Sequence, residues 1–192
     1  MTLKKEYILV NSLTIYRLVM APVLVVLIIY NQVELFKWLL LVSFLTDALD
    51  GFLARRLNVA SRTGAKLDSI ADDLTVVAAM TAMVIVFHDF VLSNMVVFII
   101  PFVLFLAELL IAFIKYKKIS SFHTYLAKLA ALLQGLFFIS AFFLETPHYG
   151  LFIITAVITT LDLIEEIILV LIIKEWRTNV HGLWWVLKAN NK

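Results

Sequence analysis

Long apolar runs alternate with short charged patches along the whole chain. Six of these runs are of about membrane length and cover approximately residues 11–31, 34–57, 66–88, 93–115, 123–144 and 149–173. A run of roughly 20 apolar residues spans the ~30 Å hydrocarbon core as a helix. Backbone polar groups find no water there, so such a run forms a helix. The pattern predicts an all-α integral membrane protein, with six transmembrane helices in a single membrane domain over residues 1–192.

Short amphipathic segments are expected at both ends of the six spans. The N-terminal segment carries Lys4 and Lys5, whereas the C-terminal tail mixes the indoles of Trp184 and Trp185 with Lys188. A mixture of indoles and cations is typical of a helix that lies at the lipid headgroup level. The tail is therefore predicted to lie at the membrane surface.

The composition agrees with a membrane assignment. Hydrophobic residues make up 63% of the chain and the mean hydropathy is +1.01, whereas a soluble domain is about half apolar. The absence of cysteine excludes disulfides, thiolate chemistry and cysteine zinc sites. We expect membrane lipids, and no nucleic acid, among the partners.

The cationic residues predict an orientation. Of the 16 Lys and Arg residues, all but Lys37 fall on the side of the two termini when the six spans are drawn. Positive charges concentrate in cytoplasmic loops. Both termini are therefore predicted to lie in the cytoplasm.

Two pairs of acids interrupt the second and third spans. Asp47 and Asp50 are three residues apart, and Asp68 and Asp72 are four residues apart. Residues at these spacings share one face of a helix. The two spans are joined by a short connection, so all four carboxylates are expected to converge near the cytoplasmic end. Ionised acids are costly inside a bilayer, which makes them functional candidates.

Converging carboxylates repel one another unless cations neutralise them. Hard divalent cations such as Mg²⁺, Mn²⁺ or Ca²⁺ prefer oxygen ligands. Two such cations would stabilise the attacking and leaving oxygens of a phosphoryl displacement. Two Asp pairs alone are equally compatible with ion transport or with structural pairing to Arg. An Asp-lined cation transporter is therefore the alternative from another functional class.

The residues around these acids form a spaced motif. Residues 47–72 read DALDGFLARRLNVASRTGAKLDSIAD, which fits D-x-x-D-G-x-x-A-R, eight residues, and G-x-x-x-D-x-x-x-D. The chain thereby resembles the CDP-alcohol phosphatidyltransferase family, whose six-helix architecture also fits its length. The matching positions are Asp47, Asp50, Gly51, Ala54, Arg55, Gly64, Asp68 and Asp72.

The small and cationic residues of the motif suit nucleotide binding. Gly51 and Ala54 leave room for a nucleotide close to the helix backbone. Arg55 offers a rigid fork of donors for a phosphate. Gly64, expected just before the third span, would allow a turn and a close ligand approach. Together with Asp50, these residues are assigned to donor binding.

The resemblance implies a complete reaction. Two divalent cations, Mg²⁺ or Mn²⁺, would be held by Asp47, Asp50 and Asp68 and by Asp47, Asp68 and Asp72. CDP-diacylglycerol would be attacked at its lipid-side phosphorus, with CMP leaving. Asp72 would be the general base that takes the proton of the acceptor hydroxyl. The resemblance also implies a bacterial inner membrane location and leaves a homodimer open.

The start of the first span indicates the acceptor. Asn11, Leu13, Thr14, Arg17 and Pro22 fit N-x-L-T-x-x-R-x-x-x-x-P, which is similar to phosphatidylglycerophosphate synthases and eukaryotic-type cardiolipin synthases of the family. This favours glycerol 3-phosphate as the acceptor, ahead of phosphatidylglycerol. The alternative interpretation is a polar helix start with an interfacial Arg.

Two departures leave other acceptors open, namely inositol phosphate, inositol and serine. Asp73 stands where many phosphatidylglycerophosphate synthases have Lys, and the fifth span lacks their G-K-x-K-T start. The candidates to supply the missing positive charge are Arg62, Lys66, His123 and Lys128.

Four further acids lie within the predicted spans, namely Glu108, Asp162, Glu165 and Glu166. We expect them to bond neighbouring helices, with Lys128 or Arg as partners, rather than to take part in catalysis.

Overall fold

The computed structural model describes residues 2–57, 62–118, 122, 124–176 and 180–190. Of these, residues 2–11, 50–55, 62–63, 65–66 and 189–190 are described by their backbone alone. The described residues form helices and no strands. The helices are α1 (Thr2–Ile29), α2 (Val33–Arg56), α3 (Arg62–Val86), α4 (His88–Ser93), α5 (Met95–Tyr116), α6 (Tyr125–Phe143), α7 (Tyr149–Ile172) and α8 (Leu183–Asn190).

The all-α prediction is confirmed, and each predicted span coincides with one long helix. The predicted N-terminal segment forms the first part of α1, which begins at Thr2 and continues into the first apolar run. Residues 2–10 contain neither Gly nor Pro, so nothing in them ends the helix before that run.

Within the described residues, four helices are long and apolar enough to cross a membrane. They are Ser12–Ile29, Leu67–Val86, Met95–Tyr116 and Tyr125–Phe143. α2 and α7 have 24 residues each, which is also a spanning length. They carry more ionisable residues along that length, namely Asp162, Glu165 and Glu166 in α7, and Asp47, Asp50, Arg55 and Arg56 in α2.

The internal contacts of the chain divide it into two compact units. Unit 1 comprises Met1–Asp89 and Phe138–Thr146, and unit 2 comprises Phe90–Phe137 and Pro147–Lys192. The first therefore contains α1, α2, α3 and the end of α6. The second contains α5, most of α6, α7 and α8.

In unit 1, α1 packs against both α2 and α3. The buried stripe of α1 repeats every three or four residues, as expected for one face of a helix, and comprises Thr14, Arg17, Ala21, Leu24 and Ile28. The facing positions of α3 are mostly small, namely Ala71, Thr75, Ala78, Ala79 and Ala82. Small residues let membrane helices approach closely. Side chains on α1 can therefore reach the acids of α2 and α3.

In unit 2, α5 supplies polar groups to the end of α7. Lys115 Nζ donates to the carbonyls of Val170 and Leu171 at 2.9 Å each. The Tyr116 hydroxyl donates to the carbonyls of Val170 (3.0 Å) and Ile173 (2.6 Å). The last carbonyls of a helix lack partners within it and carry a partial negative charge. Lys115 and Tyr116 supply hydrogen bonds to these carbonyls, and the positive charge of Lys115 offsets their partial negative charge.

The segment before α8 is held by three hydrogen bonds. Val180 N–H donates to the Phe122 carbonyl at 2.8 Å, and Tyr125 N–H donates to the His181 carbonyl at 3.3 Å. Leu183 N–H, at the start of α8, donates to Glu165 Oε1 at 2.8 Å. Trp184 and Trp185 are exposed on this short helix, while its position at the membrane surface stays a prediction.

Gly182 occupies a conformation that a side chain would strain. Its φ is +148°, and an added Cβ would lie 3.1 Å from Glu165 Oε1. We expect Gly182→Ala to destabilise the protein by about 1–3 kcal/mol, because left-handed backbone suits glycine. The measurement is the thermal unfolding midpoint in detergent micelles. Gly150→Ala is the control, since its Cβ would meet only the His148 ring at 3.5–3.6 Å. Equal midpoints for the two variants would contradict this expectation.

The close packing of α3 gives a second test. Ala79 is fully buried on this helix, whereas Val84 is exposed. We expect Ala79→Leu to lower the unfolding free energy by about 1–3 kcal/mol, because the packed helices leave no room for three more carbon atoms. Val84→Leu should leave the midpoint of thermal unfolding almost unchanged. A tolerated leucine at position 79 would show that α3 does not pack closely there.

Candidate active site

Three carboxylates of the motif converge in unit 1. Asp47 lies on α2, and Asp68 and Asp72 lie one turn apart on α3. One oxygen from each of the three lies within 4.8 Å of the others. The three side chains are 34%, 24% and 38% exposed, respectively, so the group is accessible from outside the helix core. The predicted convergence is found for these three acids.

The helix lengths explain why these acids meet. Asp47 lies nine residues before the end of α2, and Asp72 lies ten residues after the start of α3. At a rise of about 1.5 Å per residue, both lie roughly 14–15 Å from the connection. Ala71, beside Asp72 on α3, is fully buried and adds little bulk between the helices. The sequence spacing thus brings the two acids to one level.

Arg17 of α1 lies against all three acids. Its Nη1 donates to Asp47 Oδ1 at 2.7 Å and also contacts Asp72. Its Nη2 donates to Asp68. The side chain is only 1% exposed. The interpretation of Arg17 as an interfacial residue was therefore wrong, because its partners are the motif acids and not lipid headgroups.

The sequence signal for this contact is a guanidinium within an apolar run. In the folded protein Arg17 lies on the same buried stripe as Ala21, Leu24 and Ile28. A guanidinium stays charged at any ordinary pH, and a buried charge needs partners of opposite sign. The motif acids are the natural partners for it within an apolar helix bundle.

The charge and the donor atoms of the group suit divalent cations. Three ionised carboxylates and one guanidinium leave a negative excess, which one Arg alone does not balance. The available ligands are carboxylate oxygens, and they are partly exposed. Oxygen ligands with excess negative charge are what Mg²⁺ and Mn²⁺ prefer. The residues present therefore fit the predicted cations.

The residues predicted to bind the donor are placed only in part. Asp50, Gly51, Ala54 and Arg55 lie in the helical backbone of α2, and their side chains lie outside the described residues. Gly64 lies in the first turn of α3, since that helix already begins at Arg62. The expected turn at Gly64 was therefore wrong, whereas its close approach to a ligand stays a prediction.

Of the cationic side chains predicted to bind the acceptor, the structure describes only one. Lys128 is exposed on α6, and its Nζ lies 5.2 Å from the centre of the Tyr125 ring. His123 and the side chains of Arg62 and Lys66 lie outside the described residues. Their proposed part in acceptor binding stays a prediction.

Two other acids in the long helices bond neighbouring segments, as expected. Asp162 accepts a hydrogen bond from Thr124 Oγ1 at 3.5 Å, and Glu165 accepts one from Leu183 N–H at 2.8 Å. Within the described part of the chain, these partners are a hydroxyl and a backbone amide rather than Lys128. Thr124 also accepts from Ala127 N–H at 3.0 Å at the start of α6.

Comparison with known proteins agrees with the geometry. The model of the CDP-alcohol phosphatidyltransferase family matches residues 7–185. The chain belongs to the CDP-alcohol phosphatidyltransferase family. No solved structure matches the chain.

Several curated relatives are similar to part of this family member. The protein from Wigglesworthia glossinidia brevipalpis is 34% identical over 83 residues, which is 42% of this chain and 46% of the relative. The protein from Blochmanniella floridana is 38% identical over 79 residues, which is 40% of this chain and 42% of the relative. The protein from Salmonella choleraesuis (strain SC-B67) is 40% identical over 84 residues, which is 40% of this chain and 44% of the relative.

All three relatives carry the name CDP-diacylglycerol--glycerol-3-phosphate 3-phosphatidyltransferase. The chain spans less than half the length of each of them in these matches. The family is therefore established over most of the chain. The substrates in the relatives' name rest only on a partial match.

The oxygen cluster predicts metal-dependent stability. We expect Mn²⁺ to raise the unfolding temperature of the wild-type protein, because a bound ion stabilises the folded state. Asp68→Asn should reduce this shift strongly, since it removes a charged oxygen ligand. Asp162→Asn is the control, because Asp162 is buried but bonds Thr124 instead of the cluster. An equal Mn²⁺ shift in both variants would show that Asp68 is no ligand.

Proposed function

We propose that this protein transfers the phosphatidyl group of CDP-diacylglycerol to glycerol 3-phosphate, with release of CMP, in phospholipid biosynthesis. The convergence of Asp47, Asp68 and Asp72, in a chain matched by the family model over residues 7–185, carries this proposal. The names of the relatives support the donor and the acceptor. The start of the first span, with Thr14 and Arg17, supports the same acceptor.

The three acids and Asp50 are assigned to two divalent cations, Mg²⁺ or Mn²⁺. When bound, these ions supply Lewis-acid polarisation of the donor pyrophosphate. Asp72 takes the proton of the acceptor hydroxyl. The acceptor oxygen then forms a bond to the lipid-side phosphorus, and the bond from that phosphorus to CMP breaks. CMP leaves with the electron pair of the broken bond.

The residues between the acids are assigned to the nucleotide and its phosphates. Gly51 and Ala54 offer little bulk on α2, so a flat base or a ribose can approach the helix. Arg55 lies four residues after Gly51, about one helical turn further along α2. Its planar donors suit a phosphate oxygen pair. Gly64 is assigned to the same ligand on α3.

The exposed faces of α2 and α7 support the proposal that these two helices also span the membrane, which would make six spans. The exposed positions in the middle of α2 are apolar, namely Trp38, Val42, Leu45, Ala48 and Leu49. The same holds for α7 from Ile154 onward, namely Ile154, Val157, Leu161, Ile164 and Leu171. Asp162 is only 8% exposed. Both helices can therefore face lipid on one side while Asp162 stays inside the protein and Asp47 faces the other motif acids.

The excess of Lys and Arg on one side supports a cytoplasmic location of both termini and of the site. A water-soluble acceptor then enters from the cytoplasm, and the lipid donor enters from the bilayer. The bacterial inner membrane is the location that suits this arrangement.

CMP release tests the proposed activity. Purified protein in mixed micelles with Mg²⁺ or Mn²⁺ is expected to release CMP from CDP-diacylglycerol when glycerol 3-phosphate is added. Asp72→Asn should lower the rate by about 10²-fold or more, because it removes the general base and a charged metal ligand. Asp162→Asn should retain the rate, since its side chain bonds Thr124 in unit 2.

The acceptor is identified by a panel in the same assay. Phosphatidylglycerol, inositol phosphate, inositol and serine are offered in place of glycerol 3-phosphate. CMP release with one of these, and none with glycerol 3-phosphate, would keep the reaction type and replace the acceptor. No CMP release with any acceptor from folded protein, or equal rates in both Asp variants, would contradict the proposed activity. A cation transporter would show no dependence on cytidine.

A further inference from the structure

Arg17 contacts the acidic site from outside the motif. It lies on α1, thirty residues before Asp47. The guanidinium contacts Asp47, Asp68 and Asp72 through Nη1 and Nη2. No position of the spaced motif requires such a residue. Its role is therefore separate from that of the motif acids.

The carboxylates that Arg17 contacts are also the ones that could hold a cation. Arg17 contacts the Oδ1 atom of Asp47, of Asp68 and of Asp72. One oxygen from each acid lies within 4.8 Å of the others. A divalent cation needs its oxygen ligands at about 2.0–2.6 Å, so an ion bound to these acids would lie close to the guanidinium of Arg17. The two positive charges repel each other and draw on the same carboxylates, so each weakens the binding of the other.

We propose that Arg17 competes with the divalent cations for these carboxylates. Arg17 holds the three acids together when no metal is bound, and it gives up part of these contacts when metal enters. This inference rests on the proposed function, since it takes the metal site from there. Arg17 acts as a positioning residue, because it sets the geometry and the charge of the acids before substrate binds.

If Arg17 competes with metal, its removal has two opposite effects: it lowers the stability of the metal-free protein and raises the affinity for metal. Without metal, Arg17→Gln leaves three acids without their guanidinium, so their repulsion lowers the stability of unit 1. With metal, the same variant has lost both a competing donor and a repelling positive charge, so metal binds more tightly. A purely structural Arg would lower the stability in both conditions and would leave the metal affinity unchanged or weaker.

The experiment measures Mn²⁺ binding directly on the purified full chain in detergent micelles. The electron paramagnetic resonance signal of free Mn²⁺ gives the dissociation constant, and thermal unfolding is followed in EDTA and in saturating Mn²⁺. Lys115→Gln is the matched control, because it removes a structural cation that bonds the end of α7 in unit 2. It should lower the unfolding temperature and leave the Mn²⁺ dissociation constant unchanged.

For Arg17→Gln we expect a lower unfolding temperature than wild type in EDTA, with most of the loss recovered in Mn²⁺. Its Mn²⁺ dissociation constant should fall by about tenfold or more, since a close positive charge is removed. A folded variant with an unchanged or larger dissociation constant overturns the inference. Should Arg17→Gln not fold in either condition, Arg17→Lys is used, because it keeps the charge but lacks the fork.

Arg17→Lys is expected to bind Mn²⁺ more tightly than wild type, since an ammonium group reaches fewer of the three acids. A dissociation constant equal to that of wild type overturns the inference for this variant too. Wild-type protein that binds Mn²⁺ and releases CMP, with no change in the variants, refutes the competition alone. Wild-type protein that binds no Mn²⁺ and releases no CMP refutes both the competition and the proposed function.

Discussion

A charge removed from water among apolar helices has to be balanced by neighbouring groups. In unit 1 this constraint falls on Arg17, which is almost fully buried and contacts three aspartates. Neither partner could stay there alone, because an isolated ion in such surroundings is far costlier than a pair. The residual negative charge in turn calls for divalent cations. One electrostatic requirement thus links α1, α2 and α3 with the proposed chemistry.

The packing around the site follows from the short reach of these contacts. A hydrogen bond spans about 3 Å, so the backbone of α1 has to come close to that of α3. The small residues of α3, such as Ala71, Ala78 and Ala82, permit this approach. Thr75, buried on the same face, donates its hydroxyl to the Ala71 carbonyl at 2.8 Å. Its burial therefore leaves no hydroxyl unsatisfied.

Unit 2 uses some of its polar side chains differently. Several of them bond the ends of helices, where backbone groups lack partners. Lys115 and Tyr116 bond the last carbonyls of α7, and Glu165 accepts from the first amide of α8. These acids and cations inside long helices are explained by fold stability alone. The distinction matters, because an acid inside a membrane helix is otherwise read as a sign of function.

The sequence by itself determined the helices, the family and the group of acids. Apolar runs of membrane length can satisfy their backbone only as helices, and the spacing of Asp68 and Asp72 places both on one face. Local periodicity is enough for the helices and for the shared face, and the resemblance to the family rests on the spaced motif. The start of α1 at Thr2 and the helical backbone at Gly64 were missed, because helix boundaries depend weakly on pattern.

Only the tertiary structure decided which residue completes the acidic group. Arg17 is thirty residues from Asp47 and fifty-five from Asp72, so no local pattern connects them. Its burial depends on which face of α1 meets α3, and that choice is made by the packing of the whole unit. A long side chain such as Arg can equally extend to a membrane surface. Sequence spacing places a side chain on a helix face, whereas contacts between distant helices assign its partners.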